Sequence, residues 1–298
     1  MSVSSAQPAL PTVAQRETPR ERATTPSRRR IPSSTLKILL GTLLVGSVVG
    51  LVLLSFVYLP FDPNAQSLSD RLLPPGQKGH LFGTDHLGRD VLSRLMAGGR
   101  ISLAVAAVAI VVTNGLGTAS GLAAAYYGRW VDAGLTMLAE IQLSLPSILI
   151  IIVFLALIGP SVLTVALVIA LSDWVVYART MRARALVEKE RDYVTAARAL
   201  GAGDAHIIFR HLFPNSLPTL IVLSTAQLGS VILLESALSY LGLGVQRPNP
   251  SWGRMVADGQ AYISNGWWIA LVPALTIGIV VLGATLLGDG LREKWKME

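Results

Sequence analysis

Long uncharged segments alternate with shorter polar ones along this chain. Six segments are long enough to cross a membrane as helices, because about 20 apolar residues span a hydrocarbon core of about 30 Å. Pro146 is expected to kink the third span, and Gly159 with Pro160 predicts a tight turn after it. The predicted fold class is an all-α integral membrane protein with transmembrane helices at 38–59, 102–127, 135–158, 161–178, 217–243 and 267–287.

The basic residues are divided unevenly between the two sides that six spans create. The side with the two termini and the 179–216 loop carries 18 of the 25 Lys and Arg residues, and the other side carries 7. Cytoplasmic loops are enriched in Lys and Arg, so we expect both termini and the 179–216 loop in the cytoplasm. The 60–101 and 244–266 loops are then external, and the net charge of +7 requires no nucleic-acid partner.

Composition agrees with the membrane assignment and limits the chemistry. Hydrophobic residues make up 52% of the 298 positions and charged residues only 14%, which excludes an ordinary soluble domain. The chain has no cysteine and no G-x-x-x-x-G-K-[ST] phosphate loop, so thiol chemistry and P-loop ATP hydrolysis are excluded. Residues 1–35 are rich in Ser, Thr, Pro and Arg. They predict a disordered basic tail, which can touch anionic lipid headgroups, before a membrane domain at 36–298.

The 179–216 loop predicts two short amphipathic helices joined by a glycine bend. Residues 182–200 are dominated by strong helix formers, and Gly201 is placed for a left-handed helix stop. Asp204 is the expected N-cap of a second helix that Pro214 ends. His206 and His211 are five residues apart, so we expect them on different helix faces. The apolar face can dock in a partner's groove or lie against the bundle.

The loop sequence resembles the EAA loop of ABC-importer permeases. T-A-A-R-A-L-G at 195–201 matches its E-A-A…G pattern with Thr195 in place of Glu, and Pro214 follows at the family's spacing. His211 and Phe213 replace its Ile and Leu. The resemblance implies that the loop inserts into a cleft of a cytoplasmic ATPase, and the implied coupling residues are Tyr193, Val194, Thr195, Ala196, Ala197, Leu200, Gly201, Asp204, Arg210, His211 and Pro214.

Other motifs resemble the C-type permeases of dipeptide, oligopeptide and nickel importers. They are G-T-D-H-L-G-R-D-V-L-S-R at 83–94, E-S-A-L-S-Y-L-G-L-G at 235–244, P-S-W-G at 250–253 and L-L-G-D-G-L-R at 286–292. The external-loop positions that carry this resemblance are Gly83, Thr84, Asp85, Gly88, Arg89, Asp90, Trp252 and Gly253.

This resemblance implies a type I ABC-importer permease of a bacterial plasma membrane. Expected partners are a second permease subunit in a heterodimer, an extracytoplasmic substrate-binding protein, and two ATPase subunits that bind ATP and magnesium. No catalytic residue, metal or cofactor is expected on this chain. The expected cargo is a di- or oligopeptide, with nickel or glutathione as alternatives. A secondary transporter that works without ATPases is the competing function.

Three acidic residues fall inside predicted spans. Charged groups are costly in lipid and mark functional sites by default, so Glu140, Asp173 and Glu235 are candidates for the translocation path. Water, Arg179 or Arg182 can satisfy Glu140 and Asp173 at the cytoplasmic ends of their helices. Glu235 either lines the path or hydrogen-bonds a neighbouring helix. His80, Asp85, His86 and Asp90 match no standard zinc spacing, and a polar turn is the favoured interpretation.

Overall fold

The computed structural model describes residues 32–246 and 248–295, and regular structure in them is helical. The helices are α1 Ser33–Leu54, α2 Val91–Tyr127, α3 Arg129–Leu143, α4 Ser147–Ile158, α5 Val162–Lys189, α6 Asp192–Ala199, α7 Asp204–Ile207, α8 Phe213–Tyr240, α9 Trp252–Gln260 and α10 Trp267–Lys294. Within the described ranges five helical segments are long and apolar enough to cross a membrane, or six if the bent pair α3–α4 is one span. The tail predicted for 1–35 falls mainly on residues 1–31, outside the described part, and α1 already begins at Ser33.

The third predicted span is two helices instead of one. α3 and α4 meet at 86°, so the prediction of a single helix at 135–158 is wrong, although the break is at the predicted Pro146. Proline lacks the N–H that would continue the helix and disfavours helical geometry in the residue before it. The turn predicted at Gly159 is confirmed, since its φ is +93° and Ser161 Oγ accepts the Thr164 N–H at 3.0 Å to begin α5.

Several helices extend beyond their apolar runs. α2 begins at Val91 instead of residue 102, because the Asp90 carboxylate accepts the Ser93 N–H at 2.7 Å and caps it. α5 continues to Lys189, whose Nζ donates to the α2 carbonyls of Ala125 at 3.1 Å and Tyr126 at 2.9 Å. The apolar pattern therefore predicts the membrane-embedded part of each helix, whereas polar contacts set the actual ends.

Close helix packing depends on glycines at two interfaces. A Cβ at Gly117 or Gly121 of α2 would overlap α5 at Tyr177 and Ala178, and one at Gly283 of α10 would lie 2.9 Å from Leu44 Cβ of α1. Gly117 and Gly121, small residues four apart in α2, therefore bring two helices together. Gly46 and Gly50, the second pair of this kind in the sequence, have no neighbouring atom within 4 Å of the position that a Cβ would take.

We expect Gly121→Val to lower the free energy of unfolding by about 1–3 kcal/mol, because the added methyl groups push α2 away from α5. Gly115→Val in the same helix is the matched control, since no atom lies within 4 Å of its Cβ position. Thermal unfolding of the purified protein in detergent measures the difference. Equal melting temperatures for the two variants would contradict the close packing of α2 on α5.

Candidate functional site

The 190–212 loop turns at Gly201, as predicted. Gly201 has φ +85°, in the left-handed region that favours glycine, and the space around its Cβ position is open within 4 Å. The Ala202 N–H reaches back to the Ala197 carbonyl at 3.0 Å and closes the end of α6. The bend therefore results from local backbone geometry, with no crowding from the rest of the chain.

Three details of the loop differ from the prediction. The helix expected over 182–200 is interrupted at residues 190–191, between α5 and α6. Asp204 does not cap α7; its carboxylate instead accepts the Tyr126 hydroxyl at 2.6 Å. Pro214 does not end a helix, because the π-helical stretch at 208–212 runs directly into α8 and Pro214 lies in the first turn of α8.

The inner face of the loop is anchored to the membrane helices. Val194, Ile207 and Leu212 are fully buried against Leu122 and Ala125 of α2 and Ala185 of α5. The Asp204–Tyr126 hydrogen bond and the Lys189 contacts join the same surfaces. A force applied to the loop is therefore transmitted directly to α2 and α5.

The outer face of the loop exposes large apolar side chains. Leu200 is 88% exposed and Phe209 is 71% exposed, and Thr195, Ala196 and Arg210 are exposed beside them. Exposed apolar groups on an amphipathic element whose other face is buried indicate an interaction surface. The predicted coupling residues do not include Phe209. Its position was nevertheless informative, because it is an apolar residue that does not share the helix face of Ile207 and Leu212.

A π-helical stretch, Ile208–Leu212, joins α7 to α8 and brings two histidines together. The rings of His206 and His211 lie 5.7 Å apart, and the Tyr193 ring lies 5.6 Å from His211. Residues five apart share a face where the hydrogen bonds run from i to i+5, so the prediction of different faces is wrong. Tyr193 also contacts Glu188; burial, and then this hydrogen bond, raise the pKa of Tyr193 to about 12.

The 61–90 segment is ordered by two left-handed glycines and one threonine. Gly83 and Gly88 both have φ +73°, and a Cβ on either would overlap backbone atoms of Leu73 or Ser67. Thr84 is fully buried, and its hydroxyl accepts the Leu73 N–H at 2.9 Å and donates to the Asp70 carbonyl. These positions of the family motif therefore build the loop.

Asp85 and Arg89 belong to a largely buried group of five charged residues, which we call the buried ion network. Its other members are Arg94, Arg254 and Asp258. Asp85 Oδ2 lies 2.7 Å from Arg89 Nε and 3.5 Å from Arg94 Nε. Asp258 lies 4.0 Å from Arg89, 3.9 Å from Arg94 and 3.4 Å from Arg254. Since α9 supplies Arg254 and Asp258, the network joins the two loop regions. Sequence patterns missed these two α9 residues because they are distant from Asp85 along the chain.

The four side chains considered as possible metal ligands, His80, Asp85, His86 and Asp90, make other contacts. His80 Nδ1 lies 2.9 Å from Asp90 Oδ1, the ring of His86 stacks on Tyr262 at 5.0 Å, and Asp85 faces arginines. No cluster of three or more metal-ligating side chains occurs among the residues the structure describes.

Trp252 and Glu235 form the buried junction between α2, α8 and α9. The Trp252 indole N–H donates to the Leu95 carbonyl at 3.0 Å, and a Cβ at Gly253 would overlap the Ser236 carbonyl. Glu235 is fully buried and accepts hydrogen bonds from Ser102 at 3.0 Å and Ser239 at 2.7 Å. The sequence leaves two roles open for Glu235, lining the translocation path or hydrogen-bonding a neighbouring helix. The geometry matches the second role.

The other two acids have different environments. Asp173 accepts a hydrogen bond from Gln227 Nε2 of α8 at 2.6 Å, whereas Arg182, one of its expected partners, binds Asp132. Glu140 is exposed on α3. The three acids therefore do not meet in one site.

Residues 115–294 match the family described as the inner membrane component of binding-protein-dependent transport systems. The chain is 39% identical over 256 residues to the dipeptide transport system permease protein DppC of Alkalihalophilus pseudofirmus, which covers 83% of this chain and 84% of the relative. It is 41% identical over 239 residues to the di/tripeptide transport system permease protein DppC of Pseudomonas aeruginosa, with 78% and 79% covered. It is 37% identical over 250 residues to the probable D,D-dipeptide transport system permease protein DdpC of Escherichia coli, with 83% and 84% covered.

The family match covers the 190–212 loop, Glu235, Trp252 and α10, and the relatives extend the similarity over most of the chain. The apolar helices agree with the membrane location that the family description states. The chain is a multi-pass protein of the bacterial inner membrane and belongs to the family of inner-membrane permease components of binding-protein-dependent transport systems.

Proposed function

We propose that this chain is one permease subunit of an ATP-driven importer of short peptides. The relatives named above are permeases of dipeptide and di/tripeptide transport systems, which supports peptide cargo over nickel or glutathione. Six spans follow if the bent pair α3–α4 crosses once, and both termini then lie on the same side, which is the cytoplasm in this proposal. The division of basic residues into 18 and 7 supports this orientation.

The observation that carries the proposal is the two-faced 190–212 loop. Its buried face is fixed to α2 and α5, and its exposed face presents Leu200 and Phe209. An apolar ridge on short helices fits a groove in a partner protein. The partner in this proposal is a pair of ATPase subunits, which bind ATP and magnesium on separate chains, since this sequence has no phosphate loop.

The contacts of the loop suggest how ATP binding moves the membrane helices. Closure of the ATPases pushes α6 and α7, and the buried contacts of Val194 and Ile207 pass the displacement to α2 and α5. The π-helical stretch continues into α8 without a break, so α8 moves as well. A second permease subunit completes the pathway in a heterodimer.

The external side of the protein receives the substrate-binding protein in this proposal. The buried ion network fixes the 61–90 segment to α9, so the two external regions present one firm surface. A rigid surface binds a partner without the cost of ordering mobile loops.

We expect Gly201→Leu to reduce ATP-driven dipeptide uptake by about fivefold or more. A left-handed non-glycine residue costs roughly 1–2 kcal/mol, which lowers the population of the bent loop by a factor of about 5–30. Uptake is measured in proteoliposomes that contain both permeases, the ATPases and the binding protein.

Gly203→Leu is the control for this substitution. Gly203 has φ −73° and open space at its Cβ position, so leucine fits there without backbone strain. The proposal predicts near-normal uptake for Gly203→Leu and intact membrane insertion for both variants. Normal coupled uptake by Gly201→Leu, or uptake by this chain alone without ATPases and ATP, would contradict the proposal.

A second prediction concerns the external surface. Asp85→Asn is expected to lower the free energy of unfolding by about 3–5 kcal/mol, because it removes the carboxylate nearest to the buried Arg89 and Arg94 and leaves them only the more distant Asp258. Asp62→Asn is the matched control, since Asp62 is exposed and accepts only the nearby Asn64 N–H at 2.8 Å. Thermal unfolding in detergent distinguishes the two, and an unchanged melting temperature for Asp85→Asn would show that the network is not stabilising.

A further inference from the structure

A groove of about 750 Å³ runs between α5, α8 and α10, on the side of the loop proposed to be cytoplasmic. Each helix lines it with one face, within 180–187, 219–226 and 288–295, at the three- and four-residue steps of a helical stripe. Gly288 and Ala226, which both line the groove, pack closely, because a Cβ on Gly288 would lie 3.2 Å from Ala226 Cβ. Its size is within the range of small-molecule sites, about 300–1,000 Å³.

The groove contains charges of both signs. Arg184 of α5 and Asp289 and Arg292 of α10 all line it, together with the hydroxyls of Thr180 and Thr219. Within residues 32–246 and 248–295, no ion pair of 4 Å or less involves Arg184, Asp289 or Arg292. All three side chains are exposed, so these groups are available to a charged ligand.

The larger groove of the protein, about 840 Å³ between α2, α3, α4 and α5, has the opposite character. It is almost entirely apolar, and Gln142 in its wall is already hydrogen-bonded to Trp174 at 2.6 Å and to the Leu171 and Ser172 carbonyls. Ser120 is bonded to the Leu116 carbonyl at 2.6 Å. A peptide in that groove would lose hydrogen bonds to water without replacement, whereas the charged groove provides partners.

A short peptide has the complementary chemistry. Its ammonium and carboxylate ends are separated by about 3.3–3.6 Å per residue when extended, and one groove that holds an acid and two arginines can meet both. Arginine binds carboxylates through two parallel hydrogen bonds. An anionic lipid or free phosphate would be attracted by the arginines but repelled by Asp289.

We propose that this groove binds the zwitterionic backbone of a short peptide at the cytoplasmic end of the translocation path. Asp289 binds the terminal ammonium, and Arg184 and Arg292 bind the terminal carboxylate. This inference rests on the proposed peptide-import function and adds the residues that hold the cargo before release. The side chains of the peptide make no charged contact here, so the site accepts peptides of different sequence.

The absence of cysteine in this chain permits a direct test on the assembled transporter. A cysteine is introduced by Ala183→Cys in the groove wall, or by Ala133→Cys on the exposed surface of α3 as the matched control. The rate of maleimide labelling of this chain is measured in the ATP-free complex with dialanine, N-acetyl-dialanine or dialanine amide. Dialanine should slow labelling at position 183 and leave position 133 unaffected.

The charge variants assign the two ends of the peptide. Asp289→Asn should weaken protection by dialanine about tenfold and remove its advantage over the N-acetyl derivative. Arg184→Gln or Arg292→Gln should remove its advantage over the amide. Equal protection by all three compounds would overturn the assignment. Protection that changes with the lipid headgroups and does not change when the peptide is added would overturn it as well.

ATP-driven dialanine uptake is measured on the same preparations. Uptake by the Ala183→Cys transporter with no protection at position 183 would overturn the groove assignment while leaving the proposed function intact. No peptide uptake by the unmodified transporter would count against the proposed function itself. Uptake together with selective protection supports both.

Discussion

The structure depends on one constraint, that a hydrocarbon environment offers no hydrogen bonds to polar groups. Each buried polar side chain between the helices therefore needs a partner on the protein. Glu235 takes Ser102 and Ser239, and Asp173 takes Gln227. Each acid fixes the register of α8 against a neighbour: α2 for Glu235 and α5 for Asp173. Two of the three acids that the sequence marks as candidates for transport, Glu235 and Asp173, therefore hydrogen-bond neighbouring helices in this geometry, whereas Glu140 is exposed.

The same constraint gives the two ends of the protein different characters. At one end, the buried ion network pairs Asp85 and Asp258 with Arg89, Arg94 and Arg254 and joins the loops into a firm surface. At the other end, the loop exposes apolar side chains and the groove between α5, α8 and α10 retains unpaired charges among the described residues. A surface whose charges are paired within the protein suits rigid docking. Exposed apolar groups and unpaired charges suit partners and cargo that bind reversibly.

Local signals predicted the features that local chemistry determines. The apolar runs, the break at Pro146 and the left-handed bend at Gly201 follow from short stretches of sequence. The role of Asp258 depends on contacts distant along the chain, so patterns did not reveal it. The start of α2 at Val91 is set by the local Asp90–Ser93 cap, which lies outside the apolar run from which the span was predicted. The proximity of His206 and His211 required a π-helical stretch, which has no reliable sequence signature.

The central claim is that the loop lies in the cytoplasm and the closed network outside. Single cysteines from Ala205→Cys in the loop and Asn64→Cys in the 61–90 segment test it, because the chain has no other cysteine and both positions are exposed. With a membrane-impermeant maleimide on spheroplasts, the account predicts labelling at position 64 without treatment and at position 205 only after permeabilisation. Labelling at position 205 in intact spheroplasts would contradict the orientation and the ATPase coupling together.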